Sequence, residues 1–188
     1  MPASKRDQLL ATAERLFYEQ GFHATGIDRI VAAAGVVRMT LYNHFASKEA
    51  LVAAVLQARH ERFIASLDAA VACAPPGEAT RALVEAHGQW LERNSQQGCI
   101  MVKAMGEFAE HSAEVHALAI SAKRDLLARI EAAVARDGLE RQDDLARRLF
   151  MVLEGSNTAV VLLGMQRALD DTRAVTDALL DTARSETP

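Results

Sequence analysis

Residues 35–45, GVVRMTLYNHF, limit what this chain can fold into more than any other stretch. A glycine ends one helix, and about two turns follow with only Val36, Leu41 and Phe45 as obvious apolar anchors. A helix this short is unstable alone, so its anchors must pin it to neighbours. Arg38, Met39, Thr40, Tyr42, Asn43 and His44 fill the spaces between and cannot all be buried. The chain must therefore supply flanking helices, and it must have a use for the outward face.

The flanks read as those helices. In the segment 5–20, Leu9, Ala13, Leu16 and Phe17 share a face, and Gly21 stops it as a left-handed cap would. Thr25 opens the next as an N-cap, with Asp28 three residues on in a weak capping box. Ile27, Ile30, Val31 and Ala34 follow at helical spacing up to Gly35. Ser47 caps a long helix with the stripe Val52, Val55, Leu56, Arg59, Phe63 and Leu67. After the loop CAPPG come helices over 78–94 (Leu83, His87, Trp90 and Leu91 inward), about 100–108, 113–136, 142–165 and 171–184. This predicts an all-α bundle of nine helices. The helix 142–165 carries two stripes: Leu145, Leu149, Val152, Ser156, Val160 and Leu163, and Phe150, Glu154, Val161 and Met165. One can face the core and the other a partner; the spacing does not say which.

Composition agrees: half of the 188 residues are hydrophobic and only 5% aromatic, which favours helix. No apolar run is long enough to span a membrane, and the start MPASKRDQLL has no apolar signal core. Two cysteines, Cys73 and Cys99, make no disulfide framework, so a cytoplasmic protein without membrane contact is expected. The net charge of −4 speaks weakly against nucleic acid, but it is uneven. Residues 1–50 sum to +1 and the rest to −5.

Two helices joined by a Gly-Val turn form a helix-turn-helix unit, whose second helix lies in the major groove while the first crosses the backbone. Leu41 and Phe45 then hold the short helix down on the first and fourth helices. Arg38 is suited to a guanine edge, Asn43 to a base or phosphate, and Met39 or the Thr40 methyl to a thymine methyl. Tyr42 and His44 have polar tips for phosphate oxygens. Thr25 and Lys48 sit at helix starts, where anions are favoured.

The run from Thr25 through IDRIVAAAGV and TLYNHFASKEAL to Leu51 resembles the tetracycline-repressor (TetR) family of bacterial transcriptional regulators. GCIMVKAMGEFAE and ARRLFMVLEGS look like one subgroup's ligand domain. The family usually has Ser or Thr where Val37 stands and often glycine where Met39 stands. Val37 has no hydroxyl for a cap or phosphate, and Met39 changes the surface offered to bases. The resemblance implies a DNA-binding domain over 1–48 and a ligand-binding and dimerisation domain over 49–188. It also implies a homodimer joined through the last two long helices, on a palindromic double-stranded operator, released by a small-molecule inducer. Val37 joins the expected DNA-facing set by its place in the motif.

Phe63, Trp90, Met101, Met105, Phe108 and Met151 are candidate pocket lining, or ordinary core. Glu154 and Asn157, polar groups in an apolar helix, orient a ligand, bond across the dimer or face water. Cys99 follows Gly98 at a helix start, a place that raises thiol reactivity; a small buried residue is the plainer account. His87, His111 and His116 suggest no metal site, because His111 and His116 are five apart and share no face. Glu107 and His111 share one, but two ligands are too few. No cofactor is expected. A helical-bundle enzyme would need a nucleophile with its base, a phosphate-cradling glycine loop or paired Glu-x-x-His, and none is found. A DNA-binding dimer without small-molecule control remains as the alternative.

Overall fold

The computed structural model describes residues 4–139 and 142–185; the outer ends of both expected domains and residues 140–141 lie outside them. Among the described residues the chain forms nine helices and no strand. These are α1 (Lys5–Gln20), α2 (Ile27–Ala34), α3 (Arg38–His44), α4 (Lys48–Cys73), α5 (Ala79–Asn94), α6 (Ile100–Phe108), α7 (Ala113–Arg136), α8 (Gln142–Leu163) and α9 (Met165–Ser185).

The helix ends follow local chemistry, with three departures from expectation. Gly35 adopts the left-handed conformation (φ 61°, ψ 37°) that a side chain would strain, and so ends α2 sharply. Gly21 also has positive φ but an extended ψ of 160°, so it leaves α1 without the left-handed cap. Thr25 is not the N-cap of α2. That place belongs to Gly26, and no side chain caps the helix. Finally, α9 begins at Met165, six residues earlier than periodicity indicates, because Gly164 (φ 87°) breaks the apolar run. Ser47 does cap α4, its hydroxyl accepting from the Ala50 amide at 3.0 Å.

The chain divides into two compact units, residues 1–61 with 100–122, and residues 62–99 with 123–188. In the first, α1, α2 and α3 pack on one another. Their core holds Leu9, Leu16, Phe17, Phe22, Ile30 and Leu41, joined by Leu51, Val52, Val55 and Leu56 from α4. In the second, α5 packs on α8 and α9, and α8 and α9 pack along each other. Leu145, Leu149 and Leu153 enter that core, and Val160 a smaller one. The stripe beginning at Leu145 therefore faces the unit's own interior. Leu163, its last member, is exposed.

Candidate nucleic-acid interface

The first unit builds its surface from the inside out. Leu41 is fully buried and Phe45 is 5% exposed, while Val36, the third expected anchor, is only half-buried. With Leu41 and Phe45 fixed, helical geometry sends the remaining side chains outward. Val37, Arg38, Met39, Tyr42, Asn43 and His44 are exposed and Thr40 half-buried. Val37 and Met39 are the large apolar groups of this exposed set. Consistent with the missing hydroxyl at position 37, no side chain caps α3.

Two residues behave differently from expectation. Thr25 is 0% exposed, and its hydroxyl donates to the carbonyls of Gly21 (2.8 Å) and Leu16 (3.3 Å). Its side chain ties the α1–α2 turn together and is withheld from phosphate. Arg38 is exposed but paired: its Nη2 lies 2.6 Å from Asp28 Oδ1. Both partners are solvated, so the pair contributes little to stability. Lys48 is half-buried and donates to the His23 carbonyl at 3.4 Å.

Sequence reasoning missed Glu107. Its carboxylate accepts from the Phe22 and His23 amides, each at 3.0 Å, and His23 Nε2 donates back to the Glu107 carbonyl at 2.8 Å. Phe108 meets Phe22 edge-on and lies tilted against His23, with ring centres 5.4 and 5.1 Å apart. Helix α6 thereby braces the turn that leads into α2. His111 meets His23 at 4.8 Å.

The eight candidate pocket residues separate. Met101, Met105 and Phe108 fall in the first unit, where Met101 and Phe108 are core. Phe63, Trp90, Met151, Glu154 and Asn157 fall in the second. Met151 is 72% exposed, on the outer surface of α8, so it lines no interior cavity of its own unit. Glu154 Oε1 is paired with Lys123 Nζ at 2.8 Å, and Asn157 donates to the Leu153 carbonyl. A cleft of about 320 Å³ in the second unit is lined by Trp90 with Ser66, Ala70, Glu85, Gln89 and Arg93. Trp90 alone comes from the candidate set.

His87 is enclosed in the same unit. Burial, and then the charge of Lys123, push its imidazole from the ordinary 6.5 down to about 3. Between those values the unfolded chain binds the extra proton. Stability is thus complete above about pH 6.5 and falls as pH drops toward 3, by at most about 1.4 kcal/mol per pH unit. Urea midpoints measured from pH 7 to pH 5 (about one and a half units below the ordinary imidazole value) should fall less steeply in His87→Gln. Equal slopes would remove His87 as the cause.

The short helix α3, pegged from beneath and following α2 across a tight turn, gives the first unit helix-turn-helix geometry. A family model, "Bacterial regulatory proteins, tetR family", matches residues 9–55. The HTH-type transcriptional activator FasR of Mycolicibacterium smegmatis is 38% identical over 93 residues, 49% of this chain and 42% of that protein. The HTH-type transcriptional repressor KstR2 of the same organism is 45% identical over 56 residues, 30% and 27% of the two chains. These matches span less than half of either relative. A crystal structure of a TetR-family transcriptional regulator from Streptomyces coelicolor superposes with a TM-score of 0.87 at 27% identity, covering 95% of both chains. Residues 9–55 thus resemble the TetR family of transcriptional regulators, and the fold is similar to that of one such regulator over 95% of the chain.

Proposed function

We propose that this chain binds an approximately palindromic operator as a homodimer, in the cytoplasm, and is released by a small molecule. One observation carries the DNA reading: Leu41 of the seven-residue helix α3 and its C-cap Phe45 are buried, while Arg38, Met39, Tyr42, Asn43 and His44 of that helix stand in solvent. Val37, Thr40 and Lys48 complete the contact set, and Thr25 serves from within by fixing the turn. The functional division stays at 48/49, with the DNA reader ahead of it and the ligand and dimer functions after it. Two copies set the recognition helices about 34–36 Å apart, one duplex turn, so a changed separation disengages both half-sites together. The relatives include an activator and a repressor; repression is the reading carried here.

Selection of DNA from a random pool should yield a two-fold half-site. On that site Arg38→Ala should cost about 1–3 kcal/mol of affinity and relax preference at one base pair. A loss spread evenly over all sequences would move Arg38 to the phosphate contacts.

The alternative, a dimer without small-molecule control, draws on Glu154 and Asn157, the expected polar groups of the pocket, already having protein partners. A thermal-shift screen separates the two, since a ligand of the folded state raises stability by RT ln(1 + [L]/Kd).

A further inference from the structure

The DNA reading leaves one polar cluster of the second unit unused. Lys123 on α7 is mostly buried, 15% of its side chain exposed, and its Nζ reaches two groups at once. Glu154 Oε1 on α8 lies 2.8 Å away, and the half-buried Cys99 Sγ, just before α6, lies 3.2 Å away. Burial works to lower the Lys123 pKa, but Cys99 and Glu154 more than offset it and hold it above the ordinary lysine value. His87 on α5 is close enough to feel the Lys123 charge. Its Nδ1 has no hydrogen-bond partner, although the residue is 3% exposed. Phe63 meets the His87 ring edge-on at 5.9 Å, and Trp90 lies 5.3 Å from Phe63.

Packing does not require this arrangement. A carboxylate is sufficient to neutralise a buried lysine, and the thiol is an added partner. An enclosed polar atom without a partner costs about 1–3 kcal/mol and is rare in native proteins. The imidazole nitrogen of His87, near enough to feel the Lys123 charge, is such an atom that the packing leaves unpaired. An ammonium facing a sulfur stabilises negative charge there as it attacks, and cysteines placed beside lysine are the reactive ones.

We propose that Cys99, held against Lys123, is a covalent modification site for small α,β-unsaturated carbonyl compounds. The sulfur forms a bond to the β-carbon, the π pair of the C=C bond moves to the α-carbon, and the thiol proton ends there. S–H has then added across the double bond, and no oxidant or reductant is consumed. This assignment uses the second unit alone and does not depend on the DNA reading.

The other cysteine, Cys73, is exposed and serves as the internal control. The full chain is treated briefly with methyl vinyl ketone at neutral pH and mapped by peptide mass. Cys99 should be modified about tenfold faster than Cys73 in the native chain, and at an equal rate in concentrated urea. Lys123→Gln should bring the Cys99 rate down to that of Cys73 or below, and Lys123→Arg should retain most of it. Faster labelling of Cys73 in the native protein, or an unchanged Cys99 rate in a folded Lys123→Gln, would overturn the assignment. Should Lys123→Gln fail to fold, the native and urea rates of the unmutated chain decide the matter.

Discussion

Phe45→Ala should lower folding stability by about 3–5 kcal/mol in equilibrium denaturation, the cost of emptying a fully packed aromatic site. The ring is 5% exposed, and the Arg6 guanidinium lies 5.5 Å from its centre. The Phe45 amide also closes α3 on the Leu41 carbonyl at 2.9 Å. A seven-residue helix has too few internal hydrogen bonds to persist without such anchors. The control lies on the same helix: Met39→Ala, at an exposed position, should stay within about 0.5 kcal/mol of the parent. A small effect at Phe45 would mean that the ring can leave its site, and the outward display of the polar face would lose its physical basis.

The short helix α3 was legible in the sequence because the signals that mark it are local: the glycine at 35 and the anchor pair four residues apart, at 41 and 45. The ends of α1, α3 and α7 follow from the same short-range signals. Thr25 was misread because a hydroxyl before a helix has two outlets, the helix amides ahead or carbonyls behind. Packing of α1 against α2 chose the carbonyls. The start of α9 was misplaced because Gly164 sits inside an apolar run whose periodicity continues across it. Only the backbone reveals the break.

Long-range pairings left no trace in the sequence pattern. Glu107 and the amides it accepts are 84 and 85 residues apart, and backbone amides carry no residue-type signal at all. Lys123 and Cys99 are 24 apart and Lys123 and Glu154 are 31 apart, on separate helices, so no helical spacing links them. Asp28 and Arg38 face each other across the α2–α3 turn, although the sequence assigned Asp28 to a capping box and Arg38 to a base edge. The two-stripe reading of α8 caught the inward face but passed over Met151 and Leu162. These are eleven residues apart, about three turns, and so lie on one outer face.

That outer face carries the last prediction. Leu162 is 80% exposed, with Met151, Val161 and Leu163 also in solvent on α8 and Val175 on α9. A lone protomer gains nothing from this display, whereas a second copy on the same surface would cover it. Leu162→Asp places a charge on that surface without disturbing the protomer's interior, so the thermal midpoint at high dilution should hold. Sedimentation velocity should show the proposed dimer in the parent and monomer in the variant, because an unpaired carboxylate in an apolar interface is strongly unfavourable. Affinity for the selected palindrome should then fall about 10²–10⁴-fold, since two linked readers become two independent ones, while a single half-site should bind as before. A variant that stays dimeric with full operator affinity would place the dimer surface elsewhere on the chain. A variant that becomes monomeric yet keeps full affinity would break the link between pairing and operator reading.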